Sequence, residues 1–158
     1  VEYDFFDGEY REVGIESIKN IVDYGVIGLL VVLSVMTLAY AIERFFYFSK
    51  INLRNYPNRK ILELDLSRHL GTIATIGSSA PYIGLLGTVL AIILTFYSLG
   101  EQNSAIDTAR IMKHLALALK ATAAGLLVAI PASVLYNILM DKADRLITQW
   151  EILNGSER

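Results

Sequence analysis

Apolar positions in this chain do not alternate with polar ones in short stripes; they gather into three long blocks. Tyr24 to Ile42 holds no charged residue over 19 positions, Leu70 to Gly100 none over 31, and Ala121 to Met140 none over 20. About 20 apolar residues at ~1.5 Å rise cross a hydrocarbon core of roughly 30 Å. The pattern predicts an all-α membrane protein with three transmembrane helices. A soluble three-helix core would need a polar face on each helix, and none is visible. As one helix the second block would extend about 46 Å, further than the core is thick. It must project beyond the membrane and needs neighbours to keep it ordered.

Polar segments divide the chain further. Residues 1–20 form an N-terminal segment in which "GIESIKN" begins an amphipathic helix. The first span covers 21–48 and ends in Phe45, Phe46, Tyr47 and Phe48, a belt suited to the membrane interface. The connector 49–69 turns at "RNYPNRK", because Pro57 disfavours helix in the residue before it. Its "RKILELDLSRHLGTIATIG" then reads as a short amphipathic helix leading into the second block. The second span covers 70–100, a connector 101–111, and the third span 112–141. In the tail 142–158, Ala143, Leu146, Ile147 and Trp150 keep helical spacing and continue the third helix.

Charge orients this arrangement. Six basic residues lie between Glu43 and His69: Arg44, Lys50, Arg54, Arg59, Lys60 and Arg68. The tail adds Lys142, Arg145 and Arg158, whereas the acidic N-terminal segment has only Arg11 and Lys19. The basic bias places the 49–69 connector and the C-terminus in the cytoplasm and the N-terminus outside. The long first block behind an acidic segment does not read as a cleavable signal peptide. With no cysteine, disulfides and thiolate metal sites are excluded, and His69 and His114 have no companion ligands nearby in sequence. No nucleotide-binding glycine loop or nucleophile motif occurs and no paired carboxylates converge at membrane depth, so neither an enzyme, a cofactor nor a nucleic-acid partner is expected.

The chemistry lies in what the blocks give up. In the second, Gly77, Ala80, Gly84, Thr88 (with Gly87 beside it), Ala91 and Thr95 share a helix face; in the third, Ala118, Thr122, Gly125, Ala129, Ala132 and Tyr136 do. Small residues let helices approach closely in lipid, so these faces read as seams. Thr88 and Thr122 give the same faces hydroxyls, which either bond back to their own helices or line a narrow polar lumen. Pro81 and Pro131 each remove a backbone donor within a block, as bends for packing or for a vestibule. Lys120 is the one ionisable residue in the outer part of the third block. It snorkels to the interface, pairs with Asp23 or Glu16, or takes part in an ion path.

At this point the residues resemble a known family. "GSSAPYIGLLGTVLAIILTF" followed by "ALKATAAGLLVAIPASVLYN" is similar to the ExbB/TolQ/MotA proton-channel family, over essentially the whole chain and in the compact form with a short cytoplasmic connector. The resemblance implies a homo-oligomeric ring, typically a pentamer, in the bacterial inner membrane. Two single-span ExbD-like helices would lie inside the ring and a TonB-like protein would dock outside. Proton flow would energise outer-membrane uptake of siderophores, vitamin B12 or metal chelates. The resemblance makes Thr88 and Thr122 the pore-facing threonines that solvate the partner's aspartate. It makes Pro81, Gly84, Gly87, Gly125, Ala129 and Pro131 the small and bent positions around the lumen. Many relatives carry a glutamate five positions before the second threonine; this chain has Leu117 there. A TolQ-like role in envelope integrity and a passive scaffold remain the competing expectations.

Overall fold

The computed structural model describes the backbone of residues 3–100 and 108–155, and the side chains of that set from Ser17 onward save 19, 99 and 110. The described chain is helical almost throughout. Helix α1 spans Tyr3–Lys50, a short 3-10 turn Leu53–Asn55, α2 Arg59–Ser67, α3 Leu70–Gly100 and α4 Thr108–Gly155. Three helices are long and apolar enough to cross a membrane, over Asn20–Lys50, Leu70–Ser98 and Ile111–Gly155. The "GIESIKN" stretch lies inside α1, and α4 carries the tail segment as part of the same helix.

Each long helix buries a narrow stripe. On α1 the buried positions Leu30, Thr37, Ala41, Arg44 and Phe48 recur at helical spacing, while Val31, Val32, Val35, Leu38, Ile42 and Phe46 stay exposed. In water such an apolar surface would be a liability; against lipid it is the ordinary outer face of a span.

Two compact units are distinguished along these helices. The first comprises residues 1–32 and 80–127. Its interior is a seam between α3 and α4 formed by Ala80, Gly84, Gly87, Thr88, Ala91, Ala118, Ala121 and Gly125.

The second unit comprises residues 33–79 and 128–158. It has a bulkier core, in which Leu62 and Leu66 of α2 join Leu70 and Ile73 of α3, Ala41 and Phe48 of α1, and Leu139 and Ala143 of α4. Within it Gly77 meets Ser133, whose Oγ would lie 2.9 Å from a methyl group placed on that glycine.

Local signals explain the short elements. Asn52 caps the 3-10 turn by accepting from the Arg54 N–H at 3.2 Å, and Asn58 caps α2 by accepting from the Ile61 N–H at 2.9 Å. The amphipathic segment leading into the second block is not one helix. It breaks at Arg68–His69, where His69 takes φ +63°, and α3 starts afresh at Leu70. The left-handed residue redirects the chain so that both the α2 leucines and Leu70 face the same core.

Candidate functional site

The first unit holds its polar groups where the helices touch most closely. A methyl group on Gly84 would lie 2.6 Å from the Ala121 carbonyl oxygen, and one on Gly125 2.6 Å from the Ala80 carbonyl oxygen. The two backbones are therefore in direct contact, with no room for side chains. Gly87 sits one turn further along the seam, where a methyl group would meet Val26 of α1 at 2.9 Å and Ala121 at 3.0 Å.

Beside this contact the two threonines meet. Thr88 Oγ1 lies 2.5 Å from Thr122 Oγ1, 3.2 Å from the Ala118 carbonyl and 3.3 Å from the Gly84 carbonyl. Thr122 Oγ1 is 3.5 Å from the same Gly84 carbonyl. Each hydroxyl has one proton and two acceptor sites, so the pair has two arrangements. Either Thr88 donates to Thr122, whose proton turns to Gly84, or Thr122 donates to Thr88, whose proton turns to Ala118 or Gly84. Thr88 is 6% exposed and Thr122 half-buried. Within one chain both hydroxyls thus belong to the α3–α4 seam, and Thr122 is the one that retains an open side. The pair can donate and accept hydrogen bonds but has no proton to titrate, so any acid–base chemistry there needs a carboxyl group from elsewhere.

The remaining residues singled out from the sequence are dispersed. Pro81 is half-buried and Pro131 exposed, each inside a continuous helix. Ala129 is buried in the second unit. Lys120 is exposed and Asp23 half-buried; among the described residues no ion pair joins them. The alternative partner Glu16 lies outside the described side chains. Leu117 is 39% exposed. No cluster of three potential metal ligands occurs among the described residues.

The second unit contains a polar cluster that charge counting along the chain does not reveal. Arg44 is 3% exposed, donates from Nη1 to the Asp65 carbonyl at 3.1 Å and from Nη2 to Glu43 Oε1 at 2.9 Å, and lies 4.9 Å from the Tyr47 ring centroid. Its Nε is buried without a hydrogen-bond partner. The hydroxyls of Tyr47 and Tyr56 both donate to Asp65 Oδ2. These hydrogen bonds, from Tyr47 first and then Tyr56, hold the Asp65 carboxyl below its ordinary value. Burial and the Asp65 carboxylate push the Tyr56 phenol up. Trp150 Nε1 donates to the Tyr56 carbonyl at 3.1 Å and ties α4 to the turn before α2. His69 stacks on Tyr40 with centroids 4.6 Å apart; its Nδ1 is 3.2 Å from Glu43 Oε2 without hydrogen-bond geometry. A sequence signal for Arg44 did exist, since it falls on the buried face of α1 with Thr37, Ala41 and Phe48.

Comparison with known proteins agrees with this architecture. The model of the MotA/TolQ/ExbB proton channel family matches residues 42–152. A Helicobacter pylori protein named ExbB-like 2 is 56% identical over 136 residues, covering 86% of this chain and 90% of its own length. The biopolymer transport protein ExbB of Aquifex aeolicus is 47% identical over 140 residues, covering 89% of this chain and 94% of its own length. The ExbB of Helicobacter pylori is 44% identical over 136 residues, covering 86% and 93%. Three membrane-length helices, the glycine and threonine seam between the last two, and a family match across most of the chain lead to one conclusion: this chain belongs to the MotA/TolQ/ExbB proton channel family.

Proposed function

We propose that this protein is an ion-driven motor subunit of the bacterial inner membrane, of the ExbB type. It assembles as a homopentameric ring around ExbD-like single-span helices and transmits the proton motive force to a TonB-like protein outside the ring. The energy reaches outer-membrane uptake of siderophores, vitamin B12 or metal chelates. The N-terminus lies in the periplasm and the C-terminus in the cytoplasm, as the six basic residues between Glu43 and His69 favour.

The observation that carries this reading is the Thr88–Thr122 hydroxyl pair at 2.5 Å, seated beside the glycine contact, with no ionisable residue among Gly77, Ala80, Gly84, Ala91 and Thr95 or Ala118, Gly125, Ala129 and Ala132, which share its helix faces. A hydroxyl pair of reversible polarity can donate to a carboxylate and accept from a carboxylic acid. It therefore suits a site where a partner's carboxyl group gains and loses a proton. Leu117, at the position where many relatives carry a glutamate, leaves that carboxyl group as the sole proton carrier at this depth. Thr122, with its open side, is the residue that meets the partner. The ExbB names of the relatives favour the uptake role over envelope maintenance.

The test is Thr122→Val in a strain dependent on this protein. Energised siderophore uptake is lost while native mass spectrometry still finds the intact ring with its single-span partner. Full uptake by that variant would remove Thr122 from the mechanism, as a passive scaffold requires. Detergent sensitivity without an uptake defect would point to envelope integrity instead.

A further inference from the structure

We propose that the groove between α1 and α4 in the second unit binds one anionic glycerophospholipid, its acyl chain lying along the groove and its phosphate held by Lys142 and Arg145. The groove encloses about 440 Å³ and every side chain lining it is apolar, among them Leu38, Ile42 and Phe46 of α1 and Leu135 and Ile138 of α4. From Leu38 to Phe46 it extends about 12 Å along the helix, close to the acyl depth of one leaflet, which is about half of the ~30 Å core. Its far end lies where both uncharged blocks stop, at Ile42 and Met140.

Two cations stand at that end. A smaller hollow of about 190 Å³ is lined by Phe48, Ser49, Lys142, Arg145 and Leu146. Phe45 walls the apolar groove, and Lys142 Nζ sits 3.8 Å from its ring centroid, which fixes the ammonium at the mouth. Among the described residues neither Lys142 nor Arg145 joins an ion pair. Of the acids on the same helix, Asp144 and Glu151 line a separate cleft with Arg59 and Lys60, and Asp141, one turn before Arg145, forms no ion pair with it among the described residues. Two such unpaired cations, Lys142 and Arg145, thus stand beside the apolar groove at the depth where lipid phosphates lie. A partner helix, about 10 Å across, would gain apolar contact in the groove but would have to bring acids of its own to this depth to meet both cations. A lipid with an anionic headgroup matches the trough and the cations together. This inference stands apart from the motor reading and needs only a chain embedded in a bilayer.

The experiment titrates delipidated full-length protein in detergent with palmitoyl-oleoyl phosphatidylglycerol or the matching phosphatidylcholine, read by native mass spectrometry. Phosphatidylglycerol binds roughly thirtyfold more tightly, the discrimination expected of two basic residues near a headgroup. The double variant K142Q/R145Q binds both lipids alike, and Ile42→Trp, which fills the groove from an exposed position, weakens both. Circular dichroism verifies that each variant keeps its helices. Equal binding of the two lipids by the unaltered protein, or a surviving preference in K142Q/R145Q, overturns the headgroup site. Unchanged affinity in Ile42→Trp overturns the acyl path. Displacement of the lipid by excess inorganic phosphate overturns it too, because the site would then serve a soluble anion.

Discussion

Gly84 and Gly125 face each other across the α3–α4 seam, each so close to the opposite backbone that a methyl group on either would sit 2.6 Å from a carbonyl oxygen. Lipid supplies no hydrophobic force between helices, so this approach, and the dispersion contact it allows, is what joins the two spans. The same closeness carries Thr88 to within hydrogen-bond reach of Thr122 and of the Ala118 carbonyl on the other helix.

Gly84→Ala therefore destabilises the protein although alanine is the better helix former. The methyl group would meet backbone, which cannot swing aside as a side chain can. An overpacking cost of about 1–3 kcal/mol is expected. Gly28→Ala, inside α1 where nothing lies within 4 Å, serves as the control and gains about 0.5–1 kcal/mol from helix propensity. Thermal unfolding in detergent checks both; equal melting temperatures for the two variants would refute the backbone contact.

Thr88→Val keeps the shape of the side chain and deletes its hydroxyl. Thr122 can still turn its proton to the Gly84 carbonyl at 3.5 Å, so no donor is stranded. The cost in stability is about 0.6–2 kcal/mol, as for other hydrogen bonds between membrane helices. On the proposed motor function, ion-driven uptake falls much further than that loss explains, because the hydroxyl pair is broken at its buried end. Thr88→Ser restores uptake at reduced stability. A valine variant with unimpaired uptake would leave Thr88 a packing residue only.

Much of this was legible beforehand, for identifiable reasons. The 31 uncharged positions from Leu70 to Gly100 coincide with α3, because a bilayer tolerates little else than an apolar helix of that length. The small residues of α3 and α4 were readable as seams because their spacing is a property of one helix at a time. What joins distant segments was not. The Tyr47–Asp65–Tyr56 cluster brings together residues 18 and 9 positions apart on different elements, and no periodicity records that. The break at His69 was hidden for a similar reason. Nothing in "SRHLG" marks a left-handed residue, and its conformation follows from the core that α2 and α3 share. Lys120 and Asp23 were matched by charge and depth alone, and the structure does not pair them.

Arg44 anchors the C-terminal end of α1 through a fork that lysine cannot copy. Its two Nη groups reach the Asp65 carbonyl at 3.1 Å and Glu43 at 2.9 Å while the plane lies near Tyr47. Arg44→Lys keeps the charge but loses at least one of these bonds, at a cost of about 1–3 kcal/mol. Arg54→Lys, exposed on the connector, changes stability by less than about 0.5 kcal/mol. Chemical denaturation in detergent compares the two. Indifference to Arg44→Lys would mean that the cluster does not hold the connector to the helices.

Stability also depends on pH through Asp65 and Tyr56. Hydrogen bonds from Tyr47 and Tyr56 lower the folded-state affinity of Asp65 for a proton. Its contribution is therefore fully present above the ordinary aspartate value of about 3.9 and is lost as the pH falls through the lower folded value. Tyr56 shifts the opposite way, so its contribution is present below the ordinary phenol value of about 10 and is lost as the pH rises through the raised one. The melting-temperature difference between the unaltered protein and Asp65→Asn should be constant from about pH 5 to 9 and narrow below about 3.9. In Tyr56→Phe the difference should also narrow below about 3.9, because that phenol's hydrogen bond is part of what lowers Asp65, and narrow again above about pH 10. Both differences staying flat across the whole range would show that the carboxylate and phenols, though in contact, are not coupled to folding.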